Sequence, residues 1–373
     1  MNGGEFKISF CVVCMNRLHQ LKQTLIQNIL DNADYEHLEF VVLDYNSRDG
    51  MEEWVMQNLA EHIKTGRVVY YKTTDPESWS PSHSKNLAFK LASGDIVCSI
   101  WADYYTGAGF TKYVNDSFKT DDNIVLTPID FHKTKKSHAP PGDVLGKVCV
   151  KRSDFLTIQG FDERMNKHGF EDYDFVNRLE LIGVRRVLIE DFEFLKYLRH
   201  DDSERFTLPT DNLAGLYVNY IKPSESEILF LYKDFSFEKG TVIDNFTHGS
   251  EIPECAYKSN NQHFEYSLKD PTWTRGNWKN GENIVYLVTS EGSEIILAYK
   301  DGNEMLFDEG SDLKFYRQAN PEVIDGMLRF HHFIYTRSVM EQNMKENKAV
   351  VNETGFGKAA VYKNFNYESN YSY

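Results

Sequence analysis

Up to about residue 105, the chain alternates short, mostly apolar runs with segments of helical periodicity, and this alternation limits the fold more than any other feature. FKISFCVVC (6–14) and LEFVVL (38–43) are two of these runs, and leucine or isoleucine recurs between them at helical spacing. Continuous apolar runs indicate strands buried on both faces, and intervening helices allow such strands to pair in parallel. The pattern predicts an α/β fold with a mixed, mostly parallel sheet and flanking helices.

Polar residues follow three of the predicted strands. Asn16 and Arg17 follow the first strand, Asp44 ends the second, and Asp103 comes directly after the run that ends at Trp101. In parallel sheets, ligands bind at the carboxyl ends of the strands. We therefore expect these side chains to lie at one edge of the sheet and to mark a binding site.

The composition excludes some classes of partner. The chain of 373 residues carries a formal charge of −15, which argues against a nucleic-acid-binding surface, whereas a locally basic pocket for a small anion remains open. No charged-then-apolar leader opens the chain, and no apolar run approaches the length of about 18 residues that a membrane-spanning helix needs. We expect a soluble, cytoplasmic protein with at most peripheral membrane contact.

The five cysteines show no spacing typical of a disulfide framework, which fits a reducing compartment. Cys11 and Cys14 form a CxxC pair, but no second pair completes a zinc site. We interpret them as buried thiols, with metal or redox chemistry as the alternative. The residues concerned are Cys11, Cys14, Cys98, Cys149 and Cys255.

The composition changes near residue 223, and we predict two domains, residues 1–222 and residues 223–373. The second part has the alternating aromatic runs and turn signals of a β-rich domain, and SEILFLYKD (226–234) is echoed by SEIILAYKD (293–301). The tail from Asn364 is expected to fray. Three aromatic residues of this part suit either a β core or stacking on sugars: Trp273, Trp278 and Tyr286.

The stretch NKHGFEDYDFVNRLELIG (166–183) places three carboxylates, those of Glu171, Asp172 and Asp174, at the start of an amphipathic helix. One explanation is structural, since Asp172 suits an N-cap and acids in the first turn favour the helix dipole by roughly 0.3–1 kcal/mol each. A cap needs only one acid, however. A carboxylate at a helix N-terminus beside a cleft is also suited to accept a proton from a hydroxyl.

Four segments resemble known glycosyltransferases, in order and over roughly residues 6–210. FLTIQGFDERMNKHGFEDYDFVNRLELIG (155–183) resembles the FLxxNGF, W-G-G-E-D-D-D and NRL segments of the β-1,4-galactosyltransferases, and Asn16-Arg17 with Leu21 resembles their N-R-x-x-x-L. VVLDYNSRDG (41–50) and SHSKNLAFKLASGDI (82–96) resemble the V-D-D-x-S-x-D and R-N-x-A-x-x-x-A-x-G-D segments of family 2 glycosyltransferases. The β-rich part lies outside the resemblance.

This resemblance implies a GT-A fold and an inverting transfer of a hexose from a nucleotide sugar, UDP-linked, to a hydroxyl of a glycan acceptor in polysaccharide biosynthesis. The family suggests galactose or N-acetylgalactosamine. By position, Asp172 matches the catalytic base, and Glu171 would bind or orient hydroxyl groups. Asp44 matches the acid that contacts the nucleoside. The positions matched to the rest of the nucleotide site are Arg17, Lys85 and Asn86.

The family's metal motif is altered in this chain. The family has D-x-D after the fourth strand, with acids that ligate Mn²⁺ or Mg²⁺. Here Trp101 stands at the first acid, so only Asp103 remains, and the resemblance implies His200 as a second ligand. We expect a weak site completed by the diphosphate, with the Trp101 ring against the donor; Asp201 or Asp202 are alternative ligands.

Two other functions remain to be weighed. A non-catalytic glycan-binding or assembly protein on a degenerate glycosyltransferase fold would explain the loss of an acid at Trp101, but it would have no need of Glu171 and Asp172. A nucleotidyltransferase would need a glycine-rich phosphate loop after the first strand, and CMNRLHQL (14–21) contains no glycine. The oligomeric state has no signal in the sequence.

Overall fold

The computed structural model describes residues 4–129, 144–199, 212–222, 225–243 and 273–373. The chain forms two compact units, Met1–His200 with Val339–Tyr373, and Asp201–Ser338. The strands of the first unit up to residue 200 are β1 (Ile8–Cys14), β2 (Leu38–Tyr45), β3 (Val68–Thr73), β4 (Ile96–Trp101), β5 (Ile124–Thr127), β6 (Cys149–Lys151) and β7 (Arg185–Leu188). Its helices are α1 (Leu18–Asp31), α2 (Met51–Asn58), α3 (Ala60–Lys64), α4 (Pro81–Leu91), α5 (Phe110–Thr120), α6 (Arg152–Thr157) and α7 (Glu171–Leu181), followed by a 3-10 helix, Phe192–Leu195.

The sheet of the first unit is mixed, as predicted. Its strands lie in the order β3-β2-β1-β4-β6-β5-β7, and the four strands from β3 to β4 are parallel. The strand β6 is antiparallel to both of its neighbours, whereas β5 and β7 pair in parallel. Every residue of β1 and of β2 is buried, which agrees with their continuous apolar runs.

Helices cover both faces of this sheet, because successive side chains of a strand point to opposite sides. Phe10 and Val12 of β1 pack in a core with α1 and α5, whereas Cys11 and Val13 pack in a second core. The second core contains apolar residues of both α4 and α7. The two helices that carry the predicted lysine and the predicted acids therefore lie on the same face of the sheet.

The second unit contains a closed antiparallel barrel. Its described strands are β8 (Leu213–Lys222), β9 (Glu225–Tyr232), β10 (Ser236–Ile243), β11 (Thr274–Asn280), β12 (Ile284–Thr289), β13 (Glu294–Lys300), β14 (Met305–Asp308) and β15 (Leu313–Arg317). The ring order is β10-β11-β12-β13-β14-β15-β8-β9, so the echoed segments, in β9 and β13, lie on opposite sides of the barrel. Trp278 packs in the barrel core and donates its indole N–H to the Tyr232 carbonyl at 2.8 Å, so its ring is core and not an exposed platform.

The C-terminal segment belongs to the first unit, which differs from the predicted boundary at residue 222. Helix α8 (Pro321–Lys345) begins in the second unit, and residues 339–373 belong to the first. Strand β16 (Tyr362–Lys363) pairs antiparallel with β3 as the edge strand of the sheet. The expectation of a frayed tail is wrong, since the Phe365 ring stacks on Tyr70 at 4.8 Å between centroids and Asn364 accepts a hydrogen bond from the Tyr70 N–H at 2.9 Å.

Buried polar groups explain why this segment returns to the first unit. The side-chain amide of Asn343 donates to Asp162 at 2.9 Å and to Asp174 at 2.8 Å, and all three residues are buried. Arg178, which is also buried, donates to the carbonyl of Ala349 at 3.1 Å. Nothing in the local sequence around residue 223 signals bonds between residues so far apart in the chain.

The Asn343→Ala variant is expected to destabilise the first unit. Without the amide, Asp162 and Asp174 each lose a hydrogen bond inside the protein, which costs about 1–3 kcal/mol in the free energy of unfolding. Urea denaturation measures the loss, with the exposed neighbour Gln342→Ala as the control, expected within about 0.5 kcal/mol of wild type. Equal stability of the two variants would contradict the role given to the C-terminal segment.

Candidate active site

The polar strand ends meet at one edge of the sheet, as predicted. In the β1–β2 pair Cys14 lies opposite Asp44, and in the β1–β4 pair Val13 lies opposite Trp101. The loops after β1 and β2 are tied together, because the Asn16 side chain accepts a hydrogen bond from the Arg48 N–H at 2.7 Å. Arg17 is half-buried at this edge, directly before α1.

Helix α7 begins at this site through an unusual backbone turn. Phe170, the residue before the helix, has φ 60°, and Gly169 has φ 109°. Glu171 is the first helical residue, so the prediction that Asp172 is the N-cap is wrong, and no side chain caps the helix. The Glu171 carboxylate reaches back and accepts a hydrogen bond from the Gly169 N–H at 3.0 Å. The turn thus places Glu171 and Asp172 in the first turn, facing α4.

Lys85 of α4 lies between these two acids. Its Nζ is 2.5 Å from Asp172 Oδ1 and 3.0 Å from Glu171 Oε1. The side chains of Lys85 and Glu171 are each 3% exposed, and that of Asp172 is 11% exposed. Among the described residues, Lys85 is the only one with a hydrogen bond to the Asp172 carboxylate. Glu171 has both oxygens engaged, whereas the second oxygen of Asp172 has no hydrogen bond among the described contacts.

The two acids differ in electrostatics as well. Burial and the neighbouring charge of Glu171 raise the pKa of Asp172 to about 6, against the opposing effect of Lys85. Burial also raises the pKa of Glu171, but the charges of Lys85 and His168 and the hydrogen bonds outweigh it, so that this pKa lies below its ordinary value. Two neighbouring acids whose pKa values are driven apart are suited to different roles.

The third carboxylate of the stretch is structural. Asp174 is fully buried, and it accepts hydrogen bonds from Arg178 Nε at 2.7 Å and from the Asn343 amide at 2.8 Å. Arg178 in turn donates to the Gly160 carbonyl at 2.7 Å. Of the three acids at the start of α7, Asp174 therefore supports the fold, Glu171 is held in place by hydrogen bonds, and Asp172 is partly open.

Two predicted nucleotide contacts need correction. Asp44 is 1% exposed, and its oxygens accept hydrogen bonds from the Ser47 N–H at 2.7 Å and the Tyr70 hydroxyl at 2.8 Å. Asn86 is fully buried, donates to the Phe161 carbonyl at 2.8 Å and accepts from its N–H at 2.7 Å. Both side chains hold the fold around the site, and neither is accessible to a nucleotide in this structure.

The metal site expected from Asp103 and His200 is not complete in the described residues. They contain no group of three histidine, cysteine, aspartate or glutamate side chains placed to hold a metal ion. Asp103 is half-buried, and Trp101, at the position of the missing acid, packs against Gly146. His200, Asp201 and Asp202 lie outside the described residues. The described part of the site therefore does not by itself fit a divalent cation.

An aromatic group that the motifs did not predict lines the same edge. The Trp79 ring lies 5.7 Å from that of Tyr45 and 5.8 Å from that of Trp101, and the Tyr45 hydroxyl is 2.7 Å from His83 Nδ1. In the sequence, only the position of Trp79 just before α4 hinted at this aromatic group. Four of the cysteines, Cys11, Cys14, Cys98 and Cys149, are buried free thiols as expected, and Cys255 lies outside the described residues.

One segment of the chain matches a known protein family. Residues 141–201, which include α6 and α7, match the profile of a family described as the N-terminal domain of galactosyltransferase. No curated protein matches the chain. Among the described residues, no helix has the length and apolar character needed to cross a membrane.

Solved structures with distant similarity include a mannosyltransferase and a protein bound to a nucleotide sugar. A mannosyltransferase from Pyrobaculum calidifontis in complex with GDP-Man and Mn²⁺ is 20% identical, with a TM-score of 0.40 over 51% of this chain and 56% of that one. S. aureus TarS 1-349 in complex with UDP-GlcNAc is 17% identical, with a TM-score of 0.42 over 55% of this chain and 63% of that one. The chain thus matches less than two thirds of either structure, and likenesses this distant carry no argument by themselves.

The sheet, the acids at its edge and the profile match all resemble features of one class of protein. The first unit has the mixed sheet and flanking helices of the GT-A architecture, and the matched segment carries the two acids of the site. The chain is accordingly similar to glycosyltransferases of GT-A architecture, and its second unit contains a separate antiparallel β-barrel.

The free energy of unfolding is expected to depend on pH because Asp172 titrates with a different pKa in the folded and unfolded states. Because its pKa in the folded state, about 6, exceeds its ordinary value of 3.8, its contribution is fully present below about pH 4 and is lost as the pH rises through 6. The unfolding free energies of wild type and Asp172→Asn are measured in urea from pH 4 to 7. As the pH rises, the value for wild type should therefore fall relative to that of the variant. A difference that does not change with pH would contradict the raised pKa.

Proposed function

We propose that the first unit is an inverting glycosyltransferase that transfers a hexose from a nucleotide sugar, UDP-linked, to a hydroxyl group of a glycan acceptor. The observation that carries the proposal is the Asp172 carboxylate, which stands at a helix N-terminus with one oxygen on Lys85 and is the more exposed of the two acids. The matched family is described as galactosyltransferase, which favours galactose or N-acetylgalactosamine as the sugar.

In the proposed reaction, Asp172 takes the proton of the acceptor hydroxyl as its oxygen attacks the anomeric carbon. The new glycosidic bond forms on the face opposite the bond to the diphosphate, which breaks, so the configuration inverts. A base with a pKa near 6 is ionised at neutral pH and is close enough to that pH to accept a proton in the transition state. Glu171, with both oxygens bound inside the protein, would position this base rather than bind a hydroxyl.

The donor is proposed to lie along the sheet edge, with its diphosphate near Arg17 and Asp103 and its sugar against the Trp101 ring. Residues 197 and 198 contact this edge through their backbone. The Leu198 N–H donates to the Asp103 carbonyl at 2.8 Å, and Tyr104 forms a bridge with Tyr197.

The barrel of the second unit is proposed to serve acceptor binding or assembly. A non-catalytic glycan-binding protein is the second candidate, and in that case the barrel would carry the function. The burial of Trp278 in the barrel core removes one of the three aromatic side chains that would stack on a sugar. The partly open carboxylate of Asp172 favours the enzyme, because a binding protein gains nothing from it.

The Asp172→Asn variant is expected to abolish transfer while donor binding stays nearly intact. The base acts in the transition state, so kcat should fall by about 10²–10⁴-fold. Thermal shift against a panel of UDP and GDP sugars identifies the donor, and kcat is then measured with it. Asp116→Asn, an exposed acid of α5, is the control and should retain wild-type rates. A turnover above about a tenth of wild type would remove Asp172 from the role of base.

Metal binding is expected to depend on the nucleotide. Because Trp101 replaces a carboxylate, the protein alone should bind Mn²⁺ weakly, and bound UDP should raise the affinity by supplying phosphate oxygens. Calorimetry with Mn²⁺, with and without UDP, measures both affinities. Tight binding to the nucleotide-free protein would show that other residues complete the site. Full activity in excess chelator would show that the reaction uses no divalent cation.

A further inference from the structure

The ammonium group of Lys85 is enclosed by the two acids and by aromatic rings. Besides its contacts with Glu171 and Asp172, its Nζ lies 4.8 Å from the centroid of the Trp101 ring and 5.0 Å from that of Phe161. The side chain is 3% exposed. An ammonium group removed from water is stable only when it is paired, and the faces of aromatic rings add a favourable electrostatic contact.

Trp101 is itself fixed in this position. A Cβ atom on Gly146 would lie 2.2 Å from the indole Nε1, so a glycine is required at the edge of the ring. A cavity of about 10 Å³ beside it is lined by Cys11, Val13, Trp79, Lys85, Ser99, Ile100 and Trp101. This volume is at the lower limit for a single water molecule, so the cavity itself does not hold a nucleotide.

The positive charge of Lys85 determines whether the Asp172 carboxylate is ionised or protonated. Lys85, Glu171 and Asp172, together the acid–lysine triad, carry a net charge of −1 when both acids are ionised. Removal of the ammonium group would leave two adjacent buried carboxylates, and such pairs retain a proton. The other titratable groups that act on these acids are His168, before α7, and Tyr173, on α7 itself. Neither bonds to the Asp172 carboxylate among the described contacts.

We propose that Lys85 is a positioning residue for the base, which holds one oxygen of Asp172 in place and keeps the carboxylate ionised at neutral pH, and that it is not a ligand of the nucleotide. This inference rests on the proposed function, in which Asp172 accepts the proton of the acceptor. When Asp172 takes that proton, the triad becomes neutral, which a buried site favours. Lys85 keeps its own proton throughout the step.

The first experiment follows the titration of Asp172 without any substrate. The protein is labelled with ¹³C at aspartate carboxyl carbons, and the Asp172 signal is assigned by its loss in Asp172→Asn. In Lys85→Met, which keeps a long apolar side chain, the midpoint should rise by about 1–3 pH units above that of wild type. Lys90→Met, on the same helix with its Nζ on the Phe356 carbonyl, is the matched control and should leave the midpoint unchanged.

The second experiment compares the pH profile of kcat/KM. If Lys85 positions the base, the acid limb of the profile for Lys85→Met moves to higher pH together with the NMR midpoint, and much of the activity returns above pH 8. If Lys85 instead binds the diphosphate, kcat/KM falls equally at all pH values, KM for the donor rises, and the midpoint stays in place. That second set of results would overturn the proposal.

If the Lys85→Met variant does not fold, the same test is made in a variant that has one buried charge fewer. Glu171→Gln removes one buried charge, and adding Lys85→Met to it should again raise the Asp172 midpoint, whereas an unchanged midpoint overturns the proposal. Failure of the proposed function has a different signature. If the midpoint moves but Asp172→Asn transfers sugar at the wild-type rate, Asp172 is not the base, and Lys85 is then only part of a structural ion pair.

Discussion

The buried ammonium group of Lys85 is the contact on which the arrangement of the site depends. It sits on α4, its partners Glu171 and Asp172 sit on α7, and all three side chains are nearly or largely removed from water. A buried charge without its partner is strongly destabilising, so the two helices must meet at this point. The alternation of β1 side chains between two cores places both helices on the same face of the sheet and makes that meeting geometrically available.

The first turn of α7 combines residues that support the fold with the proposed base. Asp174 faces the interior, where Arg178 and Asn343 bind it, and it thereby connects the helix to the C-terminal segment. Glu171 closes the backbone turn at Gly169 and shares Lys85 with Asp172. The support that these contacts provide leaves Asp172 fixed at one oxygen only. A partly open carboxylate in a rigid surrounding is what general base catalysis requires.

The sequence was informative where the physics is local. Continuous apolar runs predicted the parallel strands, and the polar residues after them predicted the functional edge, because both follow from strand geometry. It was uninformative where the partners are distant in the chain. Asn343 binds Asp174 across 169 residues, and no pattern near residue 222 predicts that the last segment returns to the first unit. For Asp44 the residue type alone was misleading. An aspartate at this position fits a contact with a nucleoside, but its carboxylate accepts a hydrogen bond from the Tyr70 hydroxyl inside the protein.

Trp101 links the altered metal motif to the buried lysine. A carboxylate at this position would stand where the indole now faces Lys85, with the ammonium group 4.8 Å from the ring centroid, and it would add a third negative charge beside Glu171 and Asp172. Three carboxylates would then share one ammonium group, and either a bound proton or a divalent cation would have to balance the added charge. The indole removes that competition, because it offers the ammonium group a favourable face without a charge of its own. Loss of the acid at Trp101 and retention of Asp172, the proposed base, are therefore consistent with one another, and the altered motif is not by itself a sign of lost catalysis.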